Sequence, residues 1–322
     1  MERRTILDQA RQLLLRQKAV IAIIVMAVVM LFFDTNFYTA YNWLNMLRSA
    51  AIQEIIGFGV TIAVLCAACD LSVGSTMCLS GVIAVMMINA GLPMALAILA
   101  GVASGALVGF VNGFLVVHQK TEPFIITLGM GMLVKGICQE LTDAHPLACT
   151  DPNFMLISNS KLFGSVPVLV VYMLAIFVLF YCLVRYTSFG RNCYAIGGNY
   201  DVAKYSGISV LRIKWMAFVI SGAAAALAGI LLSSRMNSAS SVYGDDTSML
   251  VNCGVVVGGT SFAGGSGGIV QSFIGIFVLQ MMTSCMNSLG IDAYIQQLLQ
   301  GIVIVLILGF DCFGRMRKRE NV

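Results

Sequence analysis

The 322-residue chain is 59% apolar and only 11% charged, with 19 Lys/Arg against 15 Asp/Glu and a net charge of +4; its mean hydropathy is +0.90. Soluble chains average about 45–50% apolar and about 25% charged residues, so this chain has too little charge to cover a water-exposed globule of its size. A soluble enzyme, a disordered chain and a secreted disulfide scaffold are excluded, and an all-α, polytopic transmembrane helix bundle is expected.

The first 18 residues predict an amphipathic helix on the cytoplasmic membrane surface, with Ile6, Leu13 and Leu14 on one face. No small-residue cleavage site follows the apolar run at 19–33, so the start does not read as a cleaved signal peptide. A bilayer core takes about 20 apolar residues in a helix. Candidate runs lie near 19–33, 50–69, 73–90, 94–117, 124–141, 166–184, 213–233, 249–264, 268–287 and 294–310. The first and eighth are short, which leaves eight to ten spans.

Basic residues choose within that range. Arg3, Arg4, Arg11, Arg16 and Lys18 precede the first run, and Arg315, Arg317, Lys318 and Arg319 follow the last. Both termini therefore read as cytoplasmic, which requires an even number of spans. Ten spans also place Lys120 and the segment 185–214 inside, with Arg185, Arg191, Lys204, Arg212 and Lys214. The 142–165 and 234–248 segments, which carry Asp143, Asp151, Asp245 and Asp246, then fall outside. The expected organisation is a cytoplasmic helix over 1–18, a permeating bundle over 19–312 and a basic cytoplasmic tail over 313–322.

Ten scattered cysteines read as reduced thiols used as small apolar residues, since the Cys66-x-x-Cys69 pair has no second pair or nearby histidine to complete a zinc site. His118 and His145 fall in loops on opposite sides and share neither a metal nor a catalytic dyad. Gly101, Gly105, Gly109 and Gly113 recur every four residues, baring one helix face for close packing. Ser221, Gly222, Ala226 and Gly229 form a similar small-residue face on the seventh run.

Two Gly/Ser tracts interrupt apolar runs, one at Asp70-Leu71-Ser72-Val73-Gly74-Ser75 and one from Gly258 to Gly268. Each is either a short cytoplasmic turn or a discontinuous helix, and unwound backbone at membrane depth is tolerated only inside protein or along a watery path. Gly264-Gly265-Ser266-Gly267-Gly268 formally matches G-x-S-x-G, but no histidine base can reach it, so a serine hydrolase is not expected. No G-x-x-x-x-G-K-[ST] phosphate loop occurs, so any ATP is held by another polypeptide.

Charges inside spans are few. Glu54 and Lys135 fall near outer span ends, where snorkelling to the interface is expected. Asp70 is placed to cap the next helix by accepting from backbone N–H groups near Val73. No ladder of intramembrane carboxylates points to ion coupling. The 185–214 segment mixes aromatic, basic and glycine residues, and a short helix over 200–206 is predicted to end at Gly207.

Nearly end to end, over about 30–315, the chain resembles the ribose-type permease subunits of bacterial ABC importers. The residues that carry the resemblance, in order, are Asn42-x-x-Asn45, Asp70-Leu71-Ser72-Val73-Gly74-Ser75, Asn112-Gly113, and Pro123-Phe124-Ile125-Ile126-Thr127-Leu128-Gly129. Next come Phe189-Gly190-Arg191-x-x-Tyr194-Ala195-Ile196-Gly197-Gly198-Asn199, Ser206-Gly207-Ile208, and Gly258-Gly259-Thr260-Ser261 with Gly264-Gly265. Three stretches depart from the family pattern: Ala67-Ala68-Cys69, the span Ser248 to Gly254, and Ser266.

The resemblance implies a type II ABC importer fold and a permease, itself no enzyme, that moves a monosaccharide across the bacterial inner membrane. The implied partners are a second permease copy in a homo- or heterodimer, a cytoplasmic ATPase with two nucleotide-binding domains that holds ATP and Mg, and an extracytoplasmic sugar-binding protein. No cofactor on this chain and no nucleic acid are implied. The expected ATPase-coupling residues are Phe189, Gly190, Arg191, Tyr194, Gly197, Gly198, Asn199, Ser206 and Gly207. Asp70, Ser72, Gly74, Asn112, Phe124, Thr127, Gly258, Gly259 and Thr260 are expected along the translocation path or its gate. An ion-coupled sugar carrier is the alternative.

Overall fold

The computed structural model describes residues 18–119, 121–162 and 164–319. The predicted helix over 1–18 lies outside the described residues except for Lys18, and Lys120 also lies outside them. The described chain is mostly helical. In order it forms α1 (Lys18–Phe33), a 3₁₀ turn (Thr35–Tyr38), α2 (Ala40–Leu65), α3 (Val73–Asn89), α4 (Met94–His118), α5 (Pro123–Thr142), α6 (Pro152–Asn159) and α7 (Val168–Tyr186). Then follow α8 (Ser188–Gly198), α9 (Tyr200–Tyr205), α10 (Val210–Met236), α11 (Thr247–Val257), α12 (Ile269–Ser288) and α13 (Ala293–Arg319). Two-residue strands β1 (Leu147–Ala148) and β4 (Ser238–Ala239) pair antiparallel, as do β2 (Lys161–Leu162) and β3 (Val166–Pro167).

Each of the ten predicted apolar runs overlaps a helix, but the eighth, expected over 249–264, is helical only to Val257, because Gly258 and Gly259 leave the helix for the 258–268 loop. Among the described residues, α2, α4, α5, α7, α10 and α12 are long and apolar enough to cross a membrane, and α1, α3 and α11 are shorter apolar helices. The α13 helix continues through Arg319 without a break where the basic tail was expected to begin.

Helices α2 and α10 are mostly buried, whereas α4, α5 and α7 leave most of their apolar surface uncovered. Lipid chains are as apolar as leucine, so outward leucines on α4 and α7 carry no penalty and packing must come from close approach. The glycine stripe supplies it. Helix α10 packs along α4, α3 and α2. A Cβ at Gly105 would overlap the carbonyl of Gly222, and one at Gly222 would overlap the carbonyl of Gly105. Gly109 faces the Phe218 carbonyl, Gly113 faces Trp215, Gly101 faces Ile230, and Gly229 of α10 faces the Met77 carbonyl of α3.

Three expectations are corrected by packing. The 142–165 segment is no free loop: Asp151 caps α6, accepting from the Asn153 N–H at 2.9 Å, with Pro152 at the first helical position. Phe154 is buried there, and the Ser158 hydroxyl donates to the Leu231 carbonyl at 2.8 Å. Glu54 does not snorkel; it lies in the middle of α2, fully buried, with no hydrogen-bond partner on either carboxyl oxygen. His118 ends α4 instead of lying in a loop, its ring stacked on Phe114 at 4.4 Å.

Lys135 pairs with Asp245 at 2.7 Å, the two side chains 37% and 42% exposed. A pair this exposed is worth about 0–1 kcal/mol. Lys135→Met is therefore expected to leave the melting temperature of the detergent-solubilised protein within a few degrees of wild type. Nine of the ten cysteines, Cys66 to Cys285, are free and most of them are buried, in keeping with their use as small apolar side chains.

Candidate functional site

Helix α2 ends at Leu65, Ala67 turns with φ of +54°, and α3 starts at Val73. The bridging residues form a buried polar node. One carboxyl oxygen of Asp70 accepts from the Ser72 N–H at 3.0 Å and the Ser72 hydroxyl at 2.7 Å, and the other accepts from the Ser221 hydroxyl of α10 at 2.7 Å. Asn112 of α4 donates to the Ser72 hydroxyl at 2.8 Å. Asn252 of α11 donates to the Asp70 carbonyl at 2.9 Å and accepts from the Cys69 thiol at 3.2 Å. Ser248 accepts from the Gly74 N–H at 2.8 Å, and Thr127 of α5 donates to the Cys69 carbonyl at 3.2 Å.

Asp70, Ser72, Asn112, Thr127, Ser221 and Asn252 are each at most 1% exposed. The break is thus held by side chains from four helices. Asp70 caps Ser72 and not the helix at Val73, because Ser72 is itself the residue before α3 and has no side-chain cap bond. A buried carboxyl with several donors is stable only while all of them stay aimed at it. Of the residues expected along the path, Asp70, Ser72, Gly74, Asn112 and Thr127 meet in this node; Ser221, Ser248 and Asn252, which join them, were not among those expected. The polar character of Ser248 and Asn252, in a stretch that departs from the family pattern, was the available signal. Phe124 lies apart from the node, 52% exposed on α5.

The second tract sits elsewhere. A Cβ at Gly258 would overlap the Gln271 carbonyl of α12, while Gly259 has φ of +107° and no neighbour within 4 Å of its Cβ position. The Thr260 hydroxyl lies 3.2 Å from that of Ser272 and accepts from the Gly268 N–H at 3.2 Å. The loop 258–268 is closed by these bonds, and Gly264, Gly265 and Gly267 occupy left-handed backbone that side chains disfavour.

This tract meets the elbow formed by α8 and α9. Helix α8 buries Gly190, Cys193 and Ile196, one face of the helix, with Thr187 capping at 3.3 Å through the Gly190 N–H. Gly190 abuts the Val184 backbone. A Cβ at Gly197 would overlap the Leu65 carbonyl and the Gly265 nitrogen. The Gly265 N–H donates to the Leu65 carbonyl at 3.1 Å, and the Tyr194 hydroxyl donates to the Gly267 carbonyl at 2.8 Å. The elbow is therefore stitched to the end of α2 and to the 258–268 loop.

The expected coupling residues divide by placement. Gly190 is buried, and Phe189, Tyr194 and Gly197 are half-buried against the bundle. Asn199 caps α9, accepting from the Asp201 and Val202 N–H groups at 3.0 and 3.1 Å, and Ser206 with Gly207 (φ +80°) ends it. Arg191, Gly198, Asn199, Ser206 and Gly207 face outward. So do Tyr200, Val202 and Tyr205, the last 87% exposed.

The sequence itself has known counterparts. Residues 42–308 match the model of the family described as branched-chain amino acid transport system / permease component. The chain belongs to this family. It is 35% identical to the ribose import permease protein RbsC of Bacillus subtilis (strain 168), over 90% of this chain and 91% of that one. It is 33% identical to RbsC of Escherichia coli (strain K12), over 92% and 94% of the two chains. It is 33% identical to the D-allose transport system permease protein AlsC of the same strain, over 85% and 84%. No solved structure matches it. Membership and the apolar helices make this permease a multi-pass protein of the bacterial inner membrane.

Proposed function

We propose that this chain is the membrane subunit of an ABC importer that moves a monosaccharide, of the ribose, allose or arabinose kind that its relatives carry, into the bacterial cytoplasm. In this reading α1–α5, α7 and α10–α13 provide ten spans and both termini are cytoplasmic. Two such subunits, identical or paralogous, enclose the path. A separate ATPase with two nucleotide-binding domains holds ATP and Mg beneath them, and a sugar-binding protein delivers substrate from above.

The observation that carries the reading is the elbow. Its inner face is hydrogen-bonded to the 258–268 loop through Tyr194 and packed at Gly197 against the Leu65 carbonyl that ends α2, while its outer face leaves Arg191, Val202 and Tyr205 exposed. Movement of the ATPase against that outer face would pass through Gly197 and Tyr194 to Leu65 and to the 258–268 loop. From Leu65 the chain runs five residues to Asp70, so the same displacement reaches the polar node. Packed helices shift between discrete arrangements and do not deform continuously, and the breaks are where such a shift costs least.

Gly198→Arg tests this. A Cβ there meets no atom within 4 Å, so the arginine adds bulk to the outer face without disturbing the bundle. The variant is expected to insert and purify as wild type, yet to lose ATP-driven sugar uptake and sugar-stimulated ATP hydrolysis in proteoliposomes with its ATPase and binding protein. Normal uptake by this variant removes the coupling assignment. Uptake that needs an ion gradient and no ATP replaces the importer reading with a secondary carrier.

A further inference from the structure

At the end of α2 remote from the elbow, α2 and α12 part to leave a cavity of about 270 Å³. The two helices run antiparallel there: the first turns of α2 face the last turns of α12. Asn42, Asn45 and Ser49 line it from α2, spaced by three and four residues on one helix face, and Gln280, Ser284 and Asn287 line it from α12 at the same kind of spacing. Two facing stripes of carboxamides and hydroxyls thus meet beside an apolar cluster of Met30, Phe37, Met46 and Met281.

Some of these groups are committed to the chain. Asn42 donates to the Phe37 carbonyl at 2.9 Å, Asn287 accepts from Gln296 at 2.8 Å, and Ser49 accepts from Arg235 at 3.2 Å. Asn45, Gln280 and Ser284 are half-buried and make no hydrogen bond to the described residues. Polar side chains on packed membrane helices ordinarily find a partner, because leaving them unpaired is costly. Three that converge on one cavity instead offer two carboxamides and a hydroxyl, each able both to donate and to accept. No charged side chain lines the cavity. That set suits a neutral ligand with many hydroxyls; the charges beside it, Arg235 on Ser49 and Asp34 on the lining Ser288, are of opposite sign and are hydrogen-bonded to lining hydroxyls. The volume lies just below the range of about 300–1,000 Å³ typical of drug-sized ligands, which fits a smaller molecule.

We propose that this cavity is an entry subsite for a neutral monosaccharide, on the extracytoplasmic end of the path. The proposal rests on the importer reading for its direction, since the elbow must be cytoplasmic. The mouth of the conduit then supplies weak, exchangeable hydrogen bonds. Few unpaired groups and an open mouth keep the site from holding sugar tightly, so release inward is not slowed.

Two experiments test it in the full complex with ATPase and binding protein, reconstituted in proteoliposomes and supplied with radiolabelled ribose, allose or arabinose. Asn45→Leu and Gln280→Met keep side-chain volume and remove the hydrogen bonds. Loss of one or two such bonds is expected to cut the uptake rate about tenfold, with basal ATP hydrolysis and assembly unchanged. In the second, Ser284→Cys is labelled with a membrane-impermeant methanethiosulfonate reagent, with the wild-type chain as the control for native thiols. The transported sugar at millimolar concentration is expected to slow labelling at least about threefold, and a sugar that is not transported is expected not to. Wild-type uptake by both apolar variants, or labelling that sugar does not slow, overturns the subsite while leaving the importer reading intact. Failure of the wild-type complex to take up any of the sugars with ATP counts against the importer reading itself.

Discussion

Gly109→Leu is expected to leave no folded permease: detergent extracts should show aggregated or degraded protein where wild type elutes as a single peak. A Cβ at this position would overlap the Phe218 carbonyl oxygen and lie 2.8 Å from its carbon and 3.0 Å from Val219 Cα. All three are backbone atoms of α10, which cannot retreat alone. On its other sides α10 packs against α3 and α2, and Gly229 holds it against the Met77 carbonyl. Overpacking a tight contact costs about 1–3 kcal/mol for small additions, and a leucine adds three further carbons to a contact that lacks room for one. Gly109→Ala is expected to fold with a lowered melting temperature. Gly136→Ala on α5, where a Cβ meets no atom within 4 Å, serves as the control and is expected to be neutral or to gain about 0.5–1 kcal/mol of helix stability. If Gly109→Leu melts like wild type, the α4–α10 contact is not what holds the bundle.

Asp70→Leu carries the second large effect. The substitution strips the acceptor from the Ser72 N–H, the Ser72 hydroxyl and the Ser221 hydroxyl at once. Each donor left unpaired in a dry interior costs about 1–3 kcal/mol, and Asp70, Ser72 and Ser221 are each at most 1% exposed. The break between α2 and α3 is expected to lose its geometry, with loss of both thermal stability and transport. Asp70→Asn keeps one acceptor oxygen for Ser72, and its amide can donate to Ser221 if that hydroxyl turns to accept. Its stability is expected to stay within about 1–2 kcal/mol of wild type. Adding Ser221→Ala to Asp70→Leu removes one orphaned donor and is expected to restore part of the lost stability. Thermal denaturation in detergent, followed for all four chains, reads the order; equal melting of Asp70→Leu and wild type ends the assignment of the node as the structure that holds the break.

The ten apolar runs were legible because membrane insertion selects on hydropathy summed along a helix, a quantity that needs no knowledge of neighbours. The glycine stripe was legible for a related reason: a spacing of four states which face is bare, and small residues at that spacing have few other uses. Helix α8 was not legible as a helix. It carries three glycines in 11 residues, each costing about 1 kcal/mol against alanine, so local propensity argues against it. Contact with Val184, Leu65 and Gly265 outweighs that cost, and Gly190 and Gly197 are there for the contact. Helix α6 was signalled by Asp151-Pro152, a cap followed by proline at the first helical position, and was passed over because its eight residues are too short to read as a span.

Glu54 marks the sharper boundary. Its place near the start of an apolar run implied an interfacial carboxylate, yet α2 begins at Ala40, ten residues before that run, and other helices cover it on all sides. Ser221 read as one small residue of a packing face, and nothing in its spacing tells that its hydroxyl meets Asp70 from 151 positions away.

By itself the sequence determined that this chain lives in a bilayer, which segments are apolar helices, which helix face accepts a close neighbour, and which family of permeases it resembles. These follow from local composition and from short periods, where each residue's solvation is nearly independent of the rest. Only the tertiary structure decided which polar groups are spent on each other and which are left facing a cavity. A hydrogen bond is a matter of ångströms between residues that the chain brings together from far apart. Asp70 with Ser221, Tyr194 with Gly267, and the unpaired Asn45, Gln280 and Ser284 all owe their roles to that distance.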